Sequence, residues 1–153
     1  MPDLRILAVG QKMPTWVQAG CDTYLPRFRR QCRVLLEEIP ASRREGAEAQ
    51  TEHGQRLLDR LKRDDWLVLL DERGEQWSTE ELAEALTRWE MTGRSIVLAI
   101  GGADGWNEAT RQRADVQWCL SRLVFPHPLV RLIVLEQLYR ADSVRIGHPY
   151  HRS

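Results

Sequence analysis

The sequence predicts an α/β fold: one domain on a mainly parallel sheet with helices on both faces. Three observations predict it. Short apolar runs alternate with helical stretches along the whole chain, the pattern of parallel strands joined by crossover helices. The runs are continuously apolar, as strands buried on both faces are. A length of 153 residues suffices for one hydrophobic core but not comfortably for two, so residues 1–153 are read as one domain.

The elements follow in order. Strands are expected over residues 4–9, over 34–36 with Ile39, and over 66–70, 96–100 and 118–124, each bounded by Gly, Pro, Asp or Arg. Helices are expected over residues 15–25, stopped by Pro26, then roughly 47–61 and 79–91, the latter ended by Gly93. A short helix should follow Asn107, and a last one should cover 129–144. The third helix has the clearest start, because Ser78 followed by Glu81 matches a capping box, in which hydroxyl and carboxylate each satisfy a free N–H. The last helix carries Leu129, Val130, Leu132, Ile133, Val134, Leu135, Leu138 and Tyr139 nearly all the way round. That is wider than the stripe needed to cover one sheet face, and in so small a domain it favours a twin subunit over burial within the monomer.

Composition narrows the class. Hydrophobic residues at 42% and charged residues at 29% are ordinary globular usage and argue against long disorder. Cys21, Cys32 and Cys119 are odd in number and contain no CxxC pair, so neither a disulfide framework nor a zinc ribbon is suggested. No signal-peptide pattern or membrane-length apolar stretch is present, which reads as a cytoplasmic protein without membrane association. With 22 basic and 22 acidic side chains, bulk charge gives no support for nucleic-acid binding. Its distribution is more informative: Arg122, Arg131, Arg140, Arg145 and Arg152, with three of the four histidines, face only Glu136 and Asp142 in the last thirty or so residues. That end could present a basic surface to phosphates.

Three segments could carry chemistry. IVLAIGGADG places Gly101, Gly102 and Gly105 after a strand, where a ligand can approach the backbone; the spacing is not GxGxxG, so a dinucleotide fingerprint is not supported. In CLSRLVFPHPLVR, Pro126 and Pro128 stiffen a loop at a strand's C-terminal end, where open α/β sheets hold ligands. His127 between them reads as structural rather than catalytic. The tail GHPYHRS gathers His148, Tyr150, His151 and Arg152. Three histidines without a carboxylate or cysteine at ligand spacing argue against a metal. Glu136 and Arg140, four apart on the last helix, are either an ordinary ion pair or aim a guanidinium at a phosphate or substrate carbonyl.

These residues carry a family resemblance. AVGQKMPTWVQAGCDTYLPRF, LVLLDERGEQWSTEELA, IGGADG, LSRLVFPHPLVRLIVLEQLYRA and HPYHR occur in the order and at the spacing found in the bacterial ribosomal RNA pseudouridine N3-methyltransferases of the SPOUT class, which the chain resembles over nearly its whole length. PHPLVR and HPYHR are the most specific of these motifs. The resemblance implies a C-terminal trefoil knot, a homodimer whose two subunits shape the active site, S-adenosylmethionine as methyl donor without a metal, and 23S ribosomal RNA in assembled 70S ribosomes as substrate. Without it the sheet would be read as open and doubly wound, since knots are nearly absent from proteins.

Carried over by position, the resemblance implies a cofactor pocket formed by Leu70, Gly101 and the backbone of Leu120, Ser121, Arg122, Leu123, Val124 and Phe125. It places His151, Tyr150, Arg140 and Glu136 at the base, with His151 as proton acceptor, and gives Arg152 and His148 to the RNA. The family turn has proline after the two glycines, where this chain has Ala103, so a looser loop is expected. Other readings are a non-catalytic ribosome- or RNA-binding dimer with the same fold, and a nucleotide-dependent oxidoreductase, which the missing GxGxxG disfavours.

Overall fold

A computed structural model describes residues 3–28 and 33–152; Cys32 lies outside them. Leu4–Val9 (β1) leads into Thr15–Tyr24 (α1) and a 3-10 turn over Leu25–Arg27, and Val34–Ile39 (β2) into Gly46–Leu58 (α2). Trp66–Glu75 (β3) and Thr79–Met91 (α3) follow, then Ile96–Ile100 (β4), Glu108–Arg113 (α4), Val116–Trp118 (β5) and His127–Ile146 (α5). The five strands form one sheet in the order β2-β1-β4-β3-β5, parallel at every pairing, and the chain is one α/β domain.

Burial explains which runs became which strands. The central strands β1 and β4 have every residue buried except Arg5, so they read as unbroken apolar runs. The edge strand β2 leaves Leu35, Glu37 and Glu38 exposed. Two cores result. One gathers Val17 and Cys21 of α1, Leu82, Leu86 and Trp89 of α3 and Val134, Leu135, Leu138 and Ala141 of α5 with Leu4, Ile6 and Leu98. The other joins Leu7, Val9, Leu67, Leu69, Val97 and Ala99 to Leu57 of α2 and to Trp106. Burying a large apolar side chain contributes about 1.5–3 kcal/mol, so both sheet faces need their helices.

The capping box at α3 forms as expected. Ser78 Oγ accepts from the Glu81 N–H at 3.1 Å, and the Ser78 N–H donates to Glu81 Oε1 at 3.0 Å. Ser78→Ala is expected to cost about 1 kcal/mol, read as a lower thermal midpoint with the native circular dichroism spectrum retained.

The fifth strand departs from the reading of residues 118–124. Only Val116, Gln117 and Trp118 pair with β3, and the chain then leaves the sheet. The cause lies in β3, which runs on to Glu75 through an irregular stretch. Trp118 registers with both Leu70 and Glu75, and the Cys119 N–H donates to the Glu75 carbonyl at 2.8 Å, which closes the ladder. Leu123 and Val124 are 71% and 95% exposed, so the apolar run is not core. α5 begins at His127 and buries one side against α1 and α3, while Leu129, Val130, Leu132 and Ile133 stay partly exposed.

Candidate active site

A cavity of about 580 Å³ opens at the carboxyl ends of β3, β4 and β5, where α/β sheets place ligands. Leu70, Ile100 and Trp118 close its floor, the glycine turn 101–105 one wall, and the loop after β5 with His127 and Val130 the other. The main-chain N–H groups of Gly102, Leu120, Arg122 and Phe125 make no hydrogen bond among the described residues. The two loops thus offer donors and half-buried apolar side chains together.

The fold fixes both loops from behind. Trp106, 1% exposed, donates its indole N–H to the Leu70 carbonyl at 3.1 Å, tying the glycine turn to β3. Asp71 is buried and accepts from Arg111 Nε at 2.5 Å and from the Arg73 N–H at 3.2 Å, so its carboxylate is compensated. From α2, the Gly46 N–H donates to Asp104 Oδ1 at 3.1 Å, and Gln50 Nε2 to the Asp104 carbonyl at 2.7 Å.

His53 lies under this turn, 3% exposed, its Nε2 accepting from the Ser42 N–H at 2.8 Å. Burial and then Arg56 push its pKa below the ordinary 6.5, against the opposing charges of Asp104 and Glu52. Burial and Arg131 lower His127 likewise. For a depressed histidine the stabilising contribution is complete above the unfolded value and is lost as pH falls through the folded one. The free energy of unfolding by urea should therefore decline between pH 7 and 5.5, and His53→Gln should flatten part of that decline. A wild-type curve flat over this range would contradict the assignment.

A second polar centre lies at the far end of α5. Arg140 pairs with Glu136, Nη2 to Oε1 at 2.6 Å, and Glu136 raises its pKa. Tyr150 donates its hydroxyl to Glu136 Oε1 at 3.2 Å and meets Tyr139 edge-on at 4.6 Å. Burial, with Tyr24 and Glu136 beside it, pushes its phenol above the ordinary range, so it stays a donor at neutral pH. Arg140 Nη1 is 3.3 Å from His151 Nδ1, and His151 Nε2 is 3.0 Å from Glu80 Oε1. A guanidinium can only donate, so Nδ1 accepts and the Nε2–H points to Glu80, whose pKa is lowered by its own N–H and then by His151.

The eight sequence-derived pocket positions converge with one exception. Leu70, Gly101, Leu120, Ser121, Leu123, Val124 and Phe125 line the cavity, whereas Arg122 does not and is exposed. Ala103 also lines the cavity. Glu136, Arg140, Tyr150 and His151 form one network, but none of them lines the cavity. His148 is exposed and accepts the Tyr150 N–H on Nδ1 at 3.2 Å; Arg152 is exposed. The sequence reading missed Asp71, Trp106 and Arg111. Only the position of Trp106 directly after the glycine segment could have signalled one of them. Among the described residues no group of three or more His, Cys, Asp or Glu could hold a metal ion, and no helix is long and apolar enough to cross a membrane.

This is a parallel α/β protein with a crevice at its strand ends, bounded by a glycine turn and by the loop into its last helix. The chain belongs to the SPOUT methyltransferase family, whose model, described as "Predicted SPOUT methyltransferase", matches residues 3–151. Among curated relatives, Ribosomal RNA large subunit methyltransferase H of Methylococcus capsulatus is 48% identical over 97% of this chain and 99% of its own length. The proteins of the same name from Thioalkalivibrio sulfidiphilus and Hahella chejuensis are 46% and 42% identical, each over 97% of this chain and 98% of theirs.

Proposed function

We propose that this protein methylates N3 of a pseudouridine in 23S ribosomal RNA within assembled 70S ribosomes, with S-adenosylmethionine as donor. The relatives' name supplies the substrate class. The observation that carries the reading is the strand-end cavity, whose chemistry suits the donor. Leu70, Ile100, Leu120 and Val130 can sandwich an adenine, and the unpaired N–H groups of Gly102, Leu120 and Phe125 can meet polar edges. The compensated Asp71 leaves the floor nearly neutral.

S-adenosylmethionine, when bound, supplies an electrophilic methyl group. The protein has to align N3 with it and remove the N3 proton. His151 is the acceptor in this reading, Tyr150 and Arg140 steady the base, and Arg152 and His148 meet the RNA. Within one protomer Glu136 and Arg140 lie about 9 and 15 Å beyond Val130 along α5, at 1.5 Å per residue, outside the cavity. A homodimer, with the cavity of one subunit facing the tail of the other and the C-terminal segment threaded as a trefoil knot, resolves the separation. Support for the dimer is the apolar surface formed by Leu123, Val124 and the partly exposed side of α5.

The test is transfer of radiolabelled methyl from S-adenosylmethionine to 70S ribosomes lacking the modification, with free large subunits in parallel and the labelled nucleotide mapped. Label at one pseudouridine of 23S RNA in the 70S arm is expected. No label despite cofactor binding would exclude this substrate. No label and no binding would leave a non-catalytic RNA-binding dimer.

A further inference from the structure

We propose that Arg27 contacts a phosphate of the substrate RNA beside the tail residues, an inference that rests on the RNA-methyltransferase reading above. Arg27 closes the 3-10 turn after α1, behind Pro26. Its guanidinium lies 5.1 Å from the ring centre of Tyr24 and 5.6 Å from that of Tyr139. The Tyr24 hydroxyl is 3.4 Å from that of Tyr150, and Tyr150 meets Tyr139 edge-on and donates to Glu136. Arg27 therefore borders the tail network, although 122 residues lie between it and Tyr150 in the sequence.

Charge accounting separates Arg27 from its neighbours. Arg140, over the Tyr150 ring at 4.9 Å, has its charge met by Glu136, and Arg145 pairs with Glu90 and Asp142. Arg27 is exposed and has no carboxylate partner or hydrogen bond among the described residues. Contact with ring faces holds the side chain in place but uses none of its N–H donors. An exposed, pre-oriented guanidinium with every donor free is suited to bidentate capture of phosphate oxygens, and orienting it beforehand lowers the ordering cost of binding.

The test measures binding of the full-length protein to 70S ribosomes across a salt series, beside methyl transfer, for Arg27→Gln and Arg27→Lys. Loss of one phosphate contact should weaken binding roughly five- to tenfold and reduce the slope of log K against log salt by about 0.7–0.9. The Lys variant should keep the slope and regain part of the affinity. KM for ribosomes should rise with kcat moved less than about twofold, and the thermal midpoint and S-adenosylmethionine affinity should stay at wild-type values. Unchanged affinity and slope in Arg27→Gln would overturn the proposal. So would a Lys variant as impaired as Gln with a lowered thermal midpoint, which is the signature of packing alone. Arg27-dependent ribosome binding by a wild-type protein that transfers no methyl would sink the reaction and leave this contact standing.

Discussion

Replacing Gly74 by alanine is expected to destabilise the protein by about 3 kcal/mol and to remove S-adenosylmethionine binding with it. A Cβ at this position would lie 2.5 Å from the Trp118 nitrogen and 2.6 Å from the carbonyl carbons of Gln117 and Trp118. All three atoms are backbone, so no side chain can swing aside. Gly74 sits where β3 passes from pairing with Trp118 through Leu70 to pairing through Glu75, and β5 is only three residues long. It has no spare pairs with which to absorb a shift. Trp118 also stacks on Trp77 at 5.7 Å and floors the cavity, and the next residue starts the loop that walls it. Urea unfolding and calorimetric titration with S-adenosylmethionine read the two effects. Gly93→Ala is the control: its added Cβ meets nothing, so only the left-handed backbone at φ +70° is opposed, at about 1–2 kcal/mol. A Gly74→Ala protein with wild-type stability would mean that β5 slides freely, and the account of how the cavity is held would be wrong.

That junction also marks the limit of what the sequence made legible. β1 and β4 stand out because strands buried on both faces read as unbroken apolar runs, and α3 because its capping box uses residues three apart. The end of β5 was not legible. Leu120, Leu123, Val124 and Phe125 continue the apolar run past Trp118, and nothing local tells a core strand from a loop whose apolar side chains face a cavity or the solvent. The contact that stops the strand comes from Glu75, more than forty residues earlier. Asp71 with Arg111, Tyr24 with Tyr150 and Arg27 with Tyr139 were hidden for the same reason: each pairing is made by the fold between segments with no sequence periodicity in common. The tail was legible as a dense set of polar groups. Its separation from the cavity along α5 was not, because that needs the helix in place.

His151→Ala is expected to lower kcat by about 10²–10⁴-fold, the usual contribution of general acid–base catalysis, with S-adenosylmethionine affinity unchanged because His151 does not line the cavity. In this structure both ring nitrogens are engaged, Nδ1 by Arg140 and Nε2 by Glu80, so the imidazole has no free lone pair. In the proposed reaction, proton acceptance by His151 therefore requires the tail to give up the Arg140 contact as the base enters. Exchange of the imidazole from one donor to another is inexpensive at a site where His151 is only partly buried. The same variant tests the proposed homodimer, in which two subunits share each active site. Co-expression of His151→Ala with Leu120→Trp, which crowds the cavity, yields mixed dimers whose intact cavity and intact tail meet in one active site only if each site draws on both chains. Random pairing should then restore about a quarter of wild-type activity from two inactive parents. No recovery, in mixed dimers verified by mass, would place cavity and tail of the same chain in one site and require α5 or the tail to rearrange on binding.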